Sequence, residues 1–189
     1  MGTGGGRILI LAVLGAAWFA AEIPAIHLDP VQGSALVAGR IDSVLRDSLR
    51  ARPADLFPLD SLRRLEDRGE WTPGERTTAT VGKILSLTHR PVVGWARMDP
   101  LEARFFRIPW WYFWAKRSWS LRGEVFRATG EGIASLRIEQ EIQVPLGFVG
   151  TSDGDKYPPS SADQKEALDS LSRRFASVAV PFLVGQKSP

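Results

Sequence analysis

A chain of 189 residues with 24 Lys and Arg against 21 Asp and Glu is long enough to bury a core unaided, and its formal charge of +3 is too small for the broad basic field that nucleic acid requires. It has no cysteine, which excludes a disulfide framework and a lipid-bearing cysteine, and only two histidines, His27 and His89, without partners at ligand or acid–base spacing.

Residues 8–21, ILILAVLGAAWFAA, form an uncharged apolar run after Arg7. As a helix the run would span about 21 Å, short of a bilayer core of about 30 Å. Segment 1–21 therefore reads as a signal peptide or a membrane anchor, the alternative being a buried N-terminal helix of a cytosolic domain. Export to the periplasm is expected, with residues 8–21 as the inner-membrane tether if they are retained. The glycines at 2–6 lack the Lys-Ser/Thr of a phosphate loop and precede no strand.

Residues 22–189 read as a single periplasmic α/β domain. The order begins with a strand at 25–28 and a helix from Ser34 to about Ala51, with Val37, Ile41, Val44, Leu45 and Leu49 on one face. A short apolar piece at 56–59 and a brief helix capped by Asp60, carrying Leu62 and Leu65 and stopped by Gly69, come next. Thr72, Pro73 and Glu75 signal a helix start. That helix runs to about Leu87 and buries Val81, Ile84, Leu85 and Thr88.

Pro91 opens a strand through Arg97, Asp99-Pro100 marks a turn, and residues 102–108 are extended. Trp119, Leu121, Gly123 and Val125 alternate with polar neighbours. After a turn at 128–132, Ala134, Leu136, Ile138, Ile142 and Val144 alternate with Ser135, Arg137, Glu139, Glu141 and Gln143, as in an antiparallel hairpin. Ser161 and Gln164 are placed to box the start of a last helix, which carries Leu168, Leu171, Phe175 and Val178 until Pro181 breaks it. The expected fold is α/β (α+β): a mixed sheet of about five strands with helices mainly on one face, preceded by the signal or anchor helix.

No catalytic residue, metal site or cofactor emerges, and the chain is not expected to be an enzyme. His27 and Asp29 lack further ligands at usable spacing, so His27 is expected in a solvent-facing or capping role. Asp153 and Asp155 begin a calcium-loop pattern that Lys156 cuts short. Glu139 and Glu141 share the polar face of their strand and read as a solvated row.

The working surface is elsewhere. Half of the aromatic side chains fall between Arg104 and Arg127, together with six basic residues and one acid, Glu124. Five consecutive aromatics, Trp110, Trp111, Tyr112, Phe113 and Trp114, cannot all point inward from a strand or a helix. Trp and Tyr favour the boundary of an apolar layer with water. The aromatic-basic insert at 105–119 is therefore the expected interface, carried by Phe105, Phe106, Arg107, Trp110, Trp111, Tyr112, Phe113, Trp114, Lys116, Arg117 and Trp119. Its partner would be a membrane surface or a membrane or envelope protein, with no nucleic acid. The alternative is a groove lined by the strip that holds glycan or peptide.

Three stretches carry a family resemblance: SALVAGRIDSVLRDSLRA with LDSLRRLEDRG, TTATVGKILSLTHRPVVGWARM, and SLRGEVFRATGEGIASLRIE. In element order the chain resembles the envelope superfamily of the curli secretion channel lipoprotein, the N-terminal domain of the Tol-Pal translocation protein and the lipoprotein activators of penicillin-binding proteins. The resemblance implies a non-enzymatic periplasmic α/β module that binds other envelope components. This chain lacks the lipid-attachment cysteine of such lipoproteins. Its insert of about ten residues is too short for the channel's membrane-crossing hairpins, which need about twenty.

Overall fold

The computed structural model describes residues 25–28, 30–52, 55–56, 61, 64, 67–69, 78–107, 114–148 and 159–186. The signal or anchor segment, the Thr72-Pro73-Glu75 helix start and the Asp153 loop lie outside the described residues.

Among the described residues six strands make one mixed sheet: β1 (Ala25–Leu28), β2 (Asp55–Leu56), β3 (Val92–Met98), β4 (Glu102–Arg107), β5 (Trp114–Thr129) and β6 (Gly132–Phe148). The sixth strand relative to expectation is the two-residue β2. It pairs with β1 in parallel, and β1 pairs in parallel with β3. Everything beyond β3 is antiparallel.

Long β5 organises that half of the sheet. One edge takes β6 along nearly its whole length, and the other takes β3 with Met98 opposite Gly123 and then β4 with Glu102 opposite Ser120. β3 and β4 therefore run in one direction as a single strand interrupted by three residues facing two. The Asp99 N–H donates to the Arg122 carbonyl at 3.0 Å inside that interruption. The Asp99-Pro100 signal marks a bulge, and the chain does not reverse there: a proline with no N–H to donate is accommodated where the ladder is already broken.

Helices cover both faces unequally. On one face, α1 (Ala35–Arg50) and α3 (Ser161–Leu183) lie side by side over the sheet, joined at their surface by an Arg40–Asp169 pair at 2.7 Å. Val37, Ile41, Leu45 and Leu49 of α1 meet Leu168, Leu171, Phe175 and Leu183 of α3 over Ile26, Leu28, Trp119, Leu121 and Val125. Gly94 lets α3 come down on β3, since a Cβ there would stand 2.7 Å from Leu183 Cδ2. On the other face the shorter α2 (Thr78–Thr88) buries Val81 and Ile84 against Val93, Trp95 and Ala128, with Trp95 stacked on Phe126 at 5.0 Å. Thr88 is buried and Leu85 half-buried, so the expected apolar face of this helix is the one that packs.

Three local readings are corrected. The box at the start of α3 uses Ser160 and Asp163, one residue earlier than Ser161 and Gln164: the Ser160 hydroxyl accepts from the Asp163 N–H, and the Asp163 carboxylate accepts from the Ser160 N–H. Pro181 does not end the helix, because it falls in the last turn and the buried Val180, Ala179 and Leu183 around it hold that turn on the sheet. His27 is fully buried at the centre of β1, neither solvent-facing nor a cap. In the brief helix expected after Asp60, Ser61, Arg64 and Asp67 are helical, and Gly69 takes φ +67°, where a side chain would be strained.

Candidate docking interface

β4 and β5 form a hairpin whose last paired positions are Arg107 opposite Ala115 and Phe106 opposite Lys116. Six residues, 108–113, join the two strands at this end of the sheet. Trp110, Trp111, Tyr112 and Phe113 lie outside the described residues; Arg107 and Trp114 are the hairpin's stems.

Strand alternation divides the rest of the expected interface between two faces. Lys116 of β5 and Arg104 and Phe106 of β4 lie on the face away from α1 and α3, in register with one another. Phe106 is 41% exposed, and the Lys116 ammonium sits 5.8 Å from its ring centre. The opposite parity points under α3. There Trp119 is 2% and Arg117 4% exposed, with the guanidinium 6.0 Å from the Trp119 ring. Phe105 pairs with Arg117 and is half-buried. Trp119 and Arg117 are thus interior residues and do not belong to an outward surface. Proximity in sequence had grouped them with Lys116, yet neighbours on a strand face opposite ways.

The open face over β4, β5 and β6 is knitted by charge. Lys116 Nζ donates to Gln143 at 2.7 Å, and Arg122 Nε donates to Glu139 at 2.8 Å. Arg104 pairs with Glu102 at 3.2 Å. The Ser118 hydroxyl donates to Glu141 Oε1 at 2.5 Å and Gln143 Nε2 donates to the same oxygen at 3.1 Å. These bonds, the Ser118 hydroxyl first, hold the Glu141 carboxyl below the ordinary glutamate value. A carboxyl depressed on folding adds stability that is complete above its unfolded pKa and is lost as pH falls through its folded value. Glu141→Gln is therefore expected to lower stability at neutral pH and to flatten the acid limb of the stability curve below about pH 4, as read by thermal melts across pH 3 to 7.

Beneath α3 lies a cleft of about 280 Å³ between the first half of that helix and the end of β6. Trp119, Ile142, Val144 and Leu146 form its apolar side, and Glu166 and Arg174 of α3 stand at its polar side. At one end Arg117 pairs with Asp163 at 3.6 Å, and the same Asp163 completes the helix box. The helical residues of this cleft gave no signal in the sequence, because their spacing on α3 is that of any amphipathic helix. Among the described residues no group of His, Asp and Glu could hold a metal ion, and no helix is long and apolar enough to cross a membrane.

No family model matches the sequence, and no curated protein matches it. Among solved structures the chain is similar to a hypothetical protein from Chlamydia trachomatis at TM-score 0.48 and 11% identity, over 86% of this chain and 96% of that one. It is similar to a lipoprotein from Neisseria meningitidis at TM-score 0.44 and 8% identity, over 82% and 99%. A third likeness is to rare lipoprotein B from Shewanella oneidensis at TM-score 0.37 and 10% identity, over 84% and 94%. At these TM-scores the likenesses carry no inference about function, which has to come from the residues themselves.

Proposed function

We propose that this protein is a non-enzymatic cell-envelope accessory protein that docks on a membrane surface through the hairpin between β4 and β5. The observation that carries the reading is the register of that hairpin. Its last pair sets Arg107 opposite Ala115, so that in sequence IPWWYF and Trp114 fall between these two partners, following the exposed Phe106 and preceding the half-buried Lys116. Tryptophan and tyrosine beside lysine and arginine suit the headgroup layer of an anionic bilayer. Burying three such rings, at about 150 Å² each and about 25 cal/mol per Å², amounts to about 11 kcal/mol before ordering costs. The apolar run at 8–21 and the resemblance to envelope modules support an exported, periplasmic setting.

The test compares residues 22–189 with the triple variant Trp110→Ala, Trp111→Ala, Trp114→Ala in flotation with vesicles of phosphatidylglycerol and phosphatidylcholine. The variant is expected to lose at least about tenfold in affinity, equivalent to about 1.4 kcal/mol, with an unchanged melting temperature. Unchanged flotation removes the membrane version and leaves a membrane-protein partner for the same segment.

A second reading, a peptide-binding module, is favoured by the cleft under α3, which has apolar walls and charges of both signs. Trp119 is too deeply buried to offer a ring face to sugar, so peptide fits the cleft better than glycan.

A further inference from the structure

Among the described residues β6 is an edge strand: it pairs with β5 alone along Gly132–Phe148, which leaves one row of its backbone groups facing away from the sheet. The groups in that row can be identified. The Arg122 carbonyl accepts from Asp99, so Arg122 turns its backbone toward β3 and β4. Its partner across the ladder, Glu139, must then turn its own N–H and C=O outward. With the period of two, Ser135, Arg137, Glu141 and Gln143 do the same.

The two halves of this edge are built differently. Toward its end the edge is blunted by three features: Arg174 of α3 reaches over to donate to the Glu141 carbonyl at 3.3 Å, Pro145 has no N–H to offer, and a bulge interrupts the ladder opposite Ala115 and Lys116. Residues 133–139 carry none of these devices. Their outward row instead presents Arg137 and Glu139 side by side, flanking Ile138, and both are exposed.

We propose that this half-edge is the contact between two copies of the chain, paired antiparallel about a two-fold axis through Ile138. In that register Arg137 of each copy lies opposite Glu139 of the other, giving two opposite-charge pairs, and Ser135 lies opposite Glu141, whose carbonyl keeps a lone pair beside Arg174. Moving the axis to 137 sets Arg137 against itself. Moving it to 139 sets Glu139 against itself, and moving it to 140 sets Glu139 against Glu141. An axis at 136 pairs Arg137 with Ser135 and leaves its charge unanswered. The charge order along β6 thus selects one self-complementary register, as an isologous interface requires. The two sheets would join into one continuous twelve-stranded sheet, two copies of the six described here, with the β4–β5 hairpin of each copy left outside the contact.

The test is the mass of the full chain in mild detergent micelles, measured by light scattering with the detergent contribution subtracted. The wild type is expected at twice the chain mass of 20.8 kDa. Arg137→Glu and Glu139→Arg should each raise the dimer dissociation constant by about tenfold or more, since each sets like charges opposite one another twice, and the double swap should restore the dimer. Each single swap also disturbs a pair within its own copy, Arg122 with Glu139 or Glu124 with Arg137, so Ser135→Pro is the independent probe. It removes one outward N–H without altering charge and should also give monomer with a near-native melting temperature. A monomeric wild type, or a dimer indifferent to both single swaps and to Ser135→Pro, overturns the proposal. A dimer lost in the single swaps and not regained in the double swap overturns the register.

Discussion

Trp119→Ala is expected to cost about 3–5 kcal/mol of folding stability, the range for deleting a large buried aromatic side chain. The indole is 2% exposed and shares its face of β5 with Leu121 and Val125, over which α3 lays Leu168 and Leu171. Removing it leaves a void between strand and helix that a packed sheet closes only in part. It also strips the ring from beneath the Arg117 guanidinium, whose charge stays where the backbone holds it. Chemical denaturation should show the midpoint falling with little change in slope, and the melting temperature should drop by roughly 6–20 °C at about 2–4 °C per kcal/mol. Trp119→Phe, which keeps most of the volume, should lose less than half as much. The protein that remains folded should float with vesicles as the wild type does, because Trp119 faces the core. This outcome separates it from the tryptophans of the hairpin connection, whose replacement should do the reverse.

The second large effect is expected at Arg46. The residue is 5% exposed and its side chain ties two elements together: Nη2 donates to the Leu28 carbonyl at 2.8 Å, while Nε and Nη2 hold Asp42 one turn earlier on α1 at 2.8 and 3.2 Å. Leu28 ends β1, and the guanidinium supplies its carbonyl with a donor from a side chain inside the core. Arg46→Ala leaves that carbonyl and the half-buried Asp42 carboxylate without their donor, at a cost of about 2–3 kcal/mol. Arg46→Lys should recover only part of this, because a single ammonium cannot reach a carbonyl and a carboxylate in the fork geometry of guanidinium. The loss should be local first. Amide exchange at residues 26–28 is expected to accelerate more than exchange in β5, and equal acceleration in the two strands would show that Arg46 acts on the whole core and not on the end of β1.

Where one period dominated the sequence, the fold was legible. Val37, Ile41, Leu45 and Leu49 recur every four residues, and they are the face of α1 that packs. Alternation from Trp119 to Val144 reads as a hairpin and is one, although the inward row of β6 is buried only at Ile138 and ends in the 41% exposed Val144. What escaped needed knowledge of a neighbour. Asp99-Pro100 has the composition of a turn, and only the Arg122 carbonyl opposite makes it a bulge. Asp163 looks like any first-turn acid until Arg117, brought across by β5, lies beside it. The aromatic-basic cluster was visible as composition, but its division into an outward and an inward set depended on strand parity. Lys116 and Arg117 are adjacent in the chain and end on opposite sides of the sheet.

The arrangement around β5 also bears on when the molecule can become itself. β5 and β6 meet across a two-residue turn and can zip as soon as both exist, whereas β1, beyond its two-residue pairing with β2, gains its longer parallel partner only when β3 has been brought back to it past α1 and α2. A chain threaded through a narrow passage from its N-terminus would emerge with β1 and α1 first, and they would have no sheet to join until β3 and β5 had followed. In such a passage its stable form would be postponed until transit was nearly complete, leaving the polypeptide slack enough to be moved.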